Sequence, residues 1–265
     1  MHQVCGFESS ASAVGDMGSP ARKTGAMGVE TSRELRRVLY DGDGAVALTV
    51  ARSLGLTGPL QMVGELVLLA VDHHASEAAE FAAQCTGALR VRAFDGDQEL
   101  ADAIDAARGI AVSDAKSLNE LQVDLDQLAD LIDGGPDSAG GRLDLTTRDV
   151  WPEIAFDDSS DEDDDDEDDD PDRWLYVWPT GSRRAYNDMV DFTATRESRT
   201  LAARLERALE GRGAFRRFKD VLFDWPEDRD AWFVFSEDRR RGRAREWLAD
   251  AGYRPAIRNG AVKPG

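Results

Sequence analysis

The residues best suited to chemistry are Asp72, His73 and His74, which close an apolar run, with Asp41-Gly42-Asp43-Gly44 upstream. Carboxylates and imidazoles held close together can bind divalent metal ions, and a bound metal makes water acidic enough to attack a phosphodiester. Such a site needs several ligands converging from different strand ends. Here no further acidic motif intervenes and the flanking sequence reads as helix. A helix terminus bearing two histidines is the simpler account, because short motifs without their structural context are mostly accidental. Asp41-Gly42-Asp43 and Asp95-Gly96-Asp97 also invite a calcium reading. A twelve-residue calcium loop needs Gly at its sixth position and Glu at its last. Val46 and Leu100 stand at the first of these, Arg52 and Ala106 at the second. Both segments read better as loop-to-helix junctions.

Asp72-His73-His74 resembles the motif of the DHH phosphoesterases, and the resemblance implies two manganese ions held by aspartates and histidines. It rests on three residues, so metal-dependent phosphoester hydrolysis stands as an alternative function, with no cofactor expected. The second candidate set is basic. Arg239, Arg241, Arg243 and Arg245 fall on the last predicted helix, and Arg212, Arg216, Arg217 and Lys219 surround a short phenylalanine-bearing helix. Two arginine-rich helices in one domain could contact a partner or the phosphates of a nucleic acid. At helical spacing, however, the later arginines ring their helix instead of forming one stripe. Their aliphatic stems can cover core edges while the guanidiniums pair with nearby acids. The aromatic residues Trp174, Trp178, Trp225, Trp232, Phe233, Phe235 and Trp247 form a third set, with core packing as the default reading.

No Ser-His-Asp arrangement, phosphate-cradling glycine loop or nucleotide fingerprint is present. Cys5 and Cys85 form no CxxC pair, which excludes a disulfide framework and fits a reducing, cytoplasmic setting. No stretch approaches the roughly 20 apolar residues of a membrane span. The net charge of −20 over 265 residues is unevenly placed. Residues 173–265 hold 20 Lys and Arg against 14 Asp and Glu, a net of +6, which leaves −26 for residues 1–172. Residues 157–172 alone contain 13 carboxylates in 16 positions. The whole molecule should repel nucleic acid and anionic membrane, whereas its C-terminal third should not.

These residues must be positioned by elements the patterning predicts. Residues 1–30 mix Gly, Ser and Ala without an apolar core and read as a disordered leader, not a signal peptide. Met17 and Met27 both precede the first periodic segment, so either could serve as the start. Residues 31–110 form a helical region, opening with Ser32 as a cap for a helix from Arg33. Residues 60–71 are continuous enough for a buried strand, but their i, i+3, i+4, i+7 spacing favours helix. An α+β domain follows over residues 118–254. It comprises a helix over 121–132, a hairpin of strands at 142–146 and 150–154, a strand at 174–178, helices to Gly211, and a short helix over 214–223. In that short helix Phe215 and Phe218 are expected to be buried. A strand over 231–235 and a last helix capped by Ser236 complete the domain. The fold class is thus α+β: a helical N-terminal portion, then a small antiparallel sheet packed with helices. A disordered acidic loop over 157–172 is inserted, since like charges at every position oppose ordering. Residues 255–265 form a flexible tail.

The run Tyr186-Asn187-Asp188-Met189-Val190-Asp191-Phe192, the stretch GRGAFRRFKD at 211–220, Trp232-Phe233-Val234-Phe235 and Arg245-Glu246-Trp247-Leu248 together resemble the bacterial uncharacterised protein family UPF0158, roughly over residues 121–254. The resemblance implies one intact domain read across the acidic insertion, and no activity or catalytic residue. The sequence therefore points to a non-enzymatic binding or regulatory protein acting through its aromatic and basic C-terminal domain on a protein partner. Nucleic-acid binding, autoinhibited by the acidic loop, is the alternative, and no membrane partner is expected.

Overall fold

A computed structural model describes residues 29–73, 77–111, 118–134, 138–156, 170 and 172–256. The leader up to residue 28, the acidic run over 157–169 and the tail from 257 lie outside these residues, as does His74. The N-terminal portion contains α1 (Val29–Asp41), α2 (Gly44–Leu54), α3 (Leu60–Asp72), α4 (Ala78–Arg92) and α5 (Asp97–Ala107). α1 begins upstream of the expected Ser32 cap. Asp43 caps α2 by accepting the amides of Ala45 and Val46, which satisfies donors that have no partner inside the helix. α3 is apolar on nearly every side, and the structure explains why: Met62, Val63, Leu66, Val67, Leu69 and Ala70 are all buried. A helix this apolar belongs at the centre of its layer, with Gln61 and Glu65 as its polar contacts toward α10. α2, α4 and α5 pack around it through Ala51, Ala82, Leu89, Leu100 and Ile104.

The second portion runs β1 (Asn119–Leu121), α6 (Leu125–Ile132), β2 (Gly141–Asp144), β3 (Val150–Pro152), a single 3-10 turn (Glu153–Ala155) and β4 (Trp174–Val177). It continues with α7 (Ser182–Ala194), α8 (Arg199–Leu209), α9 (Ala214–Phe223), α10 (Pro226–Asp250) and β5 (Tyr253–Pro255). β2 and β3 form the expected hairpin, in which Arg142 lies opposite Trp151. Its turn is organised by Asp144, whose carboxylate accepts the amides of Thr146 and Thr147. β4 joins the other side of β2, giving an antiparallel sheet in the order β3-β2-β4. Pro152 sits on an edge strand, where its missing N–H costs no ladder bond. The fold is α+β, with helices predominating.

Three local expectations are corrected. Residues 231–235 are not a strand but the middle of α10, a helix of 25 residues. Pro226 at its first turn, followed by Glu227 and Asp228, starts the helix ten residues before Ser236, because proline fits that position and acids favour the positive dipole end. Trp232 and Phe235, spaced i and i+3, meet Phe192 at 5.2 and 5.6 Å between ring centroids. Ser236 is interior and its hydroxyl donates to the carbonyl of Phe233. Leu121 belongs to a strand, since the helix starts only after Asp124, which caps it through Asp126 N and Gln127 N. β1 pairs in parallel with β5, a contact across the whole domain that no local pattern announces. Finally, Phe218 is buried, whereas Phe215 is 37% exposed.

Candidate functional site

The eight basic candidates divide into two groups with opposite surroundings. Arg241, Arg243 and Arg245 are buried. The Arg241 guanidinium grips Glu65 of α3 in a two-pronged pair, 2.9 Å at each nitrogen, and also reaches Asp126 at the start of α6. Arg245 donates to Gln61 at 2.9 Å and to Glu65. Arg243 pairs with Asp133 at 2.9 and 2.7 Å and with Asp188 of α7 at 2.8 Å. Arg239 shares Asp188 at 2.8 Å and lies 3.9 Å over the Phe94 ring. Planar guanidiniums with five donors suit such shared, low-dielectric sites better than lysine would. These side chains join α10 to the helical portion and to α6 and α7, and they present no cationic surface.

The same junction holds two buried acids. Asp238 accepts the Gln61 amide at 2.7 Å and pairs with Arg92. Burial pushes the Asp238 carboxyl from 3.8 up to about 6, with Arg92 acting in the opposite direction. Asp97 accepts from Gln61 Nε2, from Arg92 and from the Phe94 amide, each at 2.8 to 2.9 Å. The Asp95-Gly96-Asp97 segment is thus a helix-to-helix junction pinned to α10. A β-carbon on Gly242 would come within 2.1 Å of the Asp95 carbonyl oxygen, and one on Gly96 within 2.1 Å of the Gly242 carbonyl oxygen.

The second group surrounds α9. Ala214, Phe218 and Leu222 face inward, Phe218 stacking edge-on with Trp232 at 4.9 Å. Arg217 turns back to donate to the carbonyls of Ala208, Glu210 and Arg212, satisfying carbonyls left open at the end of α8. Its role is structural. The solvent side carries Phe215, Lys219 and Phe223 at i, i+4 and i+8, with Arg212 and Arg216 beside them. Phe223 is 73% exposed, and Arg216 has only a loose 3.9 Å pairing with Asp220. Residues four apart on a helix are neighbours, so aromatic rings and cations alternate along one stripe. Sequence reasoning found the cations but misplaced Phe215 and passed over Phe223. The i, i+4, i+8 spacing was the available signal.

The remaining candidates do not converge. Asp72 is the last residue of α3 and His73 its C-cap, donating its amide to Leu69 O. No group of three His, Cys, Asp or Glu suited to a metal exists among the described residues. Asp41 ends α1 and Asp43 caps α2. A cleft of about 260 Å³ lies between α5, α10 and β5, with Glu99, Asp102, Arg245, Tyr253 and Arg254 among its walls. Its lining contains no Ser, Cys or His, so no hydroxyl–imidazole or thiol–imidazole pair is set there. Among the described residues no helix is long and apolar enough to cross a membrane.

The chain is thus an α+β protein in which, among the described residues, one face of α9 sets exposed rings beside exposed cations. Residues 153–264 match the model of an uncharacterised protein family, UPF0158, and the chain resembles that family over its C-terminal part. A UPF0158 protein of Pseudomonas aeruginosa is 33% identical over 88 residues, which are 33% of this chain and 58% of that protein. The match thus spans a little over half of the relative's length. No solved structure matches the chain. The region of the family match contains α9 and α10 but neither Gln61 nor Glu65, which hold the α10 arginines from outside it.

Proposed function

We propose that this chain is a non-enzymatic, cytoplasmic binding protein that engages a protein partner through the solvent-facing stripe of α9. The observation that carries the reading is the alternation of Phe215, Lys219 and Phe223 on one exposed face of α9, with Arg216 beside them and Arg212 in the turn just before the helix. Exposed aromatic and arginine side chains are enriched where interfaces concentrate their energy, and an amphipathic helix needs only its inner face for folding. The paired state of Arg239, Arg241, Arg243 and Arg245 favours assigning binding to α9 and not to α10.

The test compares the chain with a Phe215→Ala, Phe223→Ala, Arg216→Ala variant in capture experiments at graded salt. Loss of a stoichiometric protein from the variant supports the reading. Equal capture by both forms removes it. Rings interleaved with cations also suit the bases and phosphates of single-stranded nucleic acid, and this second reading is checked with an unstructured RNA oligonucleotide in the same series. Binding of the oligonucleotide that vanishes in the variant, with no protein captured, would replace the first reading by the second. The phosphoesterase alternative gains no support from Asp72 and His73, which terminate a helix.

A further inference from the structure

The two portions of the chain carry separate apolar cores. Every member of the clusters around Leu66 and Ala70 lies between residues 35 and 104. Every member of those around Leu128 and Phe192 lies between residues 121 and 253. Among the described residues no buried apolar cluster spans the junction. What crosses it is charge, and it does so in both directions. Arg36 of α1 pairs with Asp126 at 2.9 Å and with Glu237, and Arg92 of α4 pairs with Asp238. In the reverse sense Glu65 of α3 takes Arg241 and Arg245, and Asp95 takes Arg184 of α7 at 3.3 Å.

The contact is also loosely packed. A cavity of about 140 Å³ lies between Leu39 and Leu68 on one side and Leu125 and Pro255 on the other. A second, of about 160 Å³, lies between Leu68 and Ala106 and the strand residues Glu120 and Pro255. The 260 Å³ cleft between α5 and α10 continues the line. The interior of a single folding unit leaves few voids of this size, and contacts between units of one chain are characteristically more polar than their cores. Parting two such surfaces returns their charges to water, which offsets much of the lost pairing. Splitting an apolar core has no such return.

We infer that the helical portion, residues 29–107, is a separately folded unit docked in cis on α10 through ion pairs, and that it undocks as a unit while both cores stay intact. Closed, the junction withholds Asp238 and Arg245 from solvent. Open, Arg245 loses Gln61 and Glu65, and Arg241 keeps only Asp126. Charges of both signs thus become accessible only in the open form, and a ligand that recognises them shifts the equilibrium toward it. One amide reports the state. Gln61 is the second residue of α3, where no carbonyl of its own helix can accept its N–H. That N–H donates instead to Asp238, 2.7 Å away across the junction.

Native-state hydrogen–deuterium exchange of the full chain, followed by NMR, tests this. After correction for intrinsic rates, the Gln61 amide should exchange at least about tenfold faster than the core amides of Leu66 in α3 and Leu205 in α8. Arg184→Gln then removes a pair elsewhere on the junction, one that involves neither Gln61 nor Asp238. Undocking as a unit predicts that Gln61 exchange rises about two- to fivefold in this variant, the range an exposed pair supplies, and keeps its lead over Leu66. Arg36→Gln, which removes the pairs with Asp126 and Glu237, should act the same way. Both arginine side chains are 45% exposed, and far-ultraviolet circular dichroism checks that each variant keeps its fold. Exchange of Gln61 at the core rate would mean that the portions part only when the protein unfolds, and would overturn the inference. Fast exchange that ignores both substitutions would mean fraying at the start of α3 alone, and would overturn it too. Neither result touches the α9 reading, whose variant leaves the junction intact.

Discussion

Phe215 and Phe218 lie three positions apart on α9, yet one closes a core and the other meets water. Phe218 touches Phe192 and Trp232 edge-on, so Phe218→Ala should cost about 3–5 kcal/mol through lost burial and an unfilled cavity. Phe223→Ala should cost less than about 1 kcal/mol, because its ring is mostly hydrated already. Urea denaturation of the two variants checks the pair, and a comparable loss in both would contradict the face assignment. Asp238 supplies a pH signature. Its carboxyl is raised from 3.8 to about 6 by burial, against the pull of Arg92. Between those values the folded protein holds a proton that the unfolded chain has released. Its contribution is therefore fully present below about pH 4 and is lost as pH rises through about 6. The parent chain should accordingly be more stable relative to Asp238→Asn at pH 4 than at pH 7, by on the order of 3 kcal/mol. Urea midpoints of both proteins at the two pH values measure this difference. An unchanged difference would show that Asp238 is ionised throughout.

At the scale of elements, α10 is the axis to which both portions of the chain attach. Its Gly242 gives the clearest test, because helix propensity and packing predict opposite signs there. In a helix interior Ala is favoured over Gly by about 1 kcal/mol. A β-carbon on Gly242 would nevertheless strike the Asp95 backbone, which cannot rotate aside as a side chain could. Gly242→Ala should therefore destabilise the protein by about 1–3 kcal/mol. Gly87→Ala is the control: it lies within α4 with nothing inside 4 Å of the added carbon, and it should stabilise by about 0.5–1 kcal/mol. Thermal or urea melts of both variants decide the matter. A stabilised Gly242→Ala would show that the helical portion does not press against α10 at this point.

For the whole molecule the dominant quantity is charge. Residues 157–169 contribute 11 of the carboxylates, so their deletion changes the net charge from −20 to −9. With the repulsive field reduced, an RNA oligonucleotide should bind more tightly at low salt, and the gain should shrink as salt screens the remaining charge. Exchanging Arg212, Arg216 and Lys219 for Ala in the deleted chain should abolish the gain if α9 is where phosphates land. Electrophoretic mobility shifts of the three proteins, at matched ionic strength, give the answer. A gain that survives the exchange would show that the deletion acts through net charge alone and would remove α9 from the account.

The sequence by itself determined what depends on neighbours within a few residues. The amphipathic and apolar periods of α2 to α5, the loop-to-helix junction at Asp43, the hairpin with Pro152 at its edge and the strand at Trp174 were all legible because local geometry fixes them. Tertiary structure alone decided the rest. Ala231-Trp232-Phe233-Val234-Phe235 carries strand-like residues, and only rings from α7 and α9 together with the early start at Pro226 make it helix. The arginines of α10 look like a binding surface in one dimension. Their acids, Glu65, Asp126, Asp133 and Asp188, stand between 51 and 180 positions away in the chain. Arg212, Arg216 and Lys219 stay exposed, and among the described residues no distant acid pairs with them. Charge sign is written in composition, but whether a charge faces solvent or a buried partner is set by which distant segments the fold brings together.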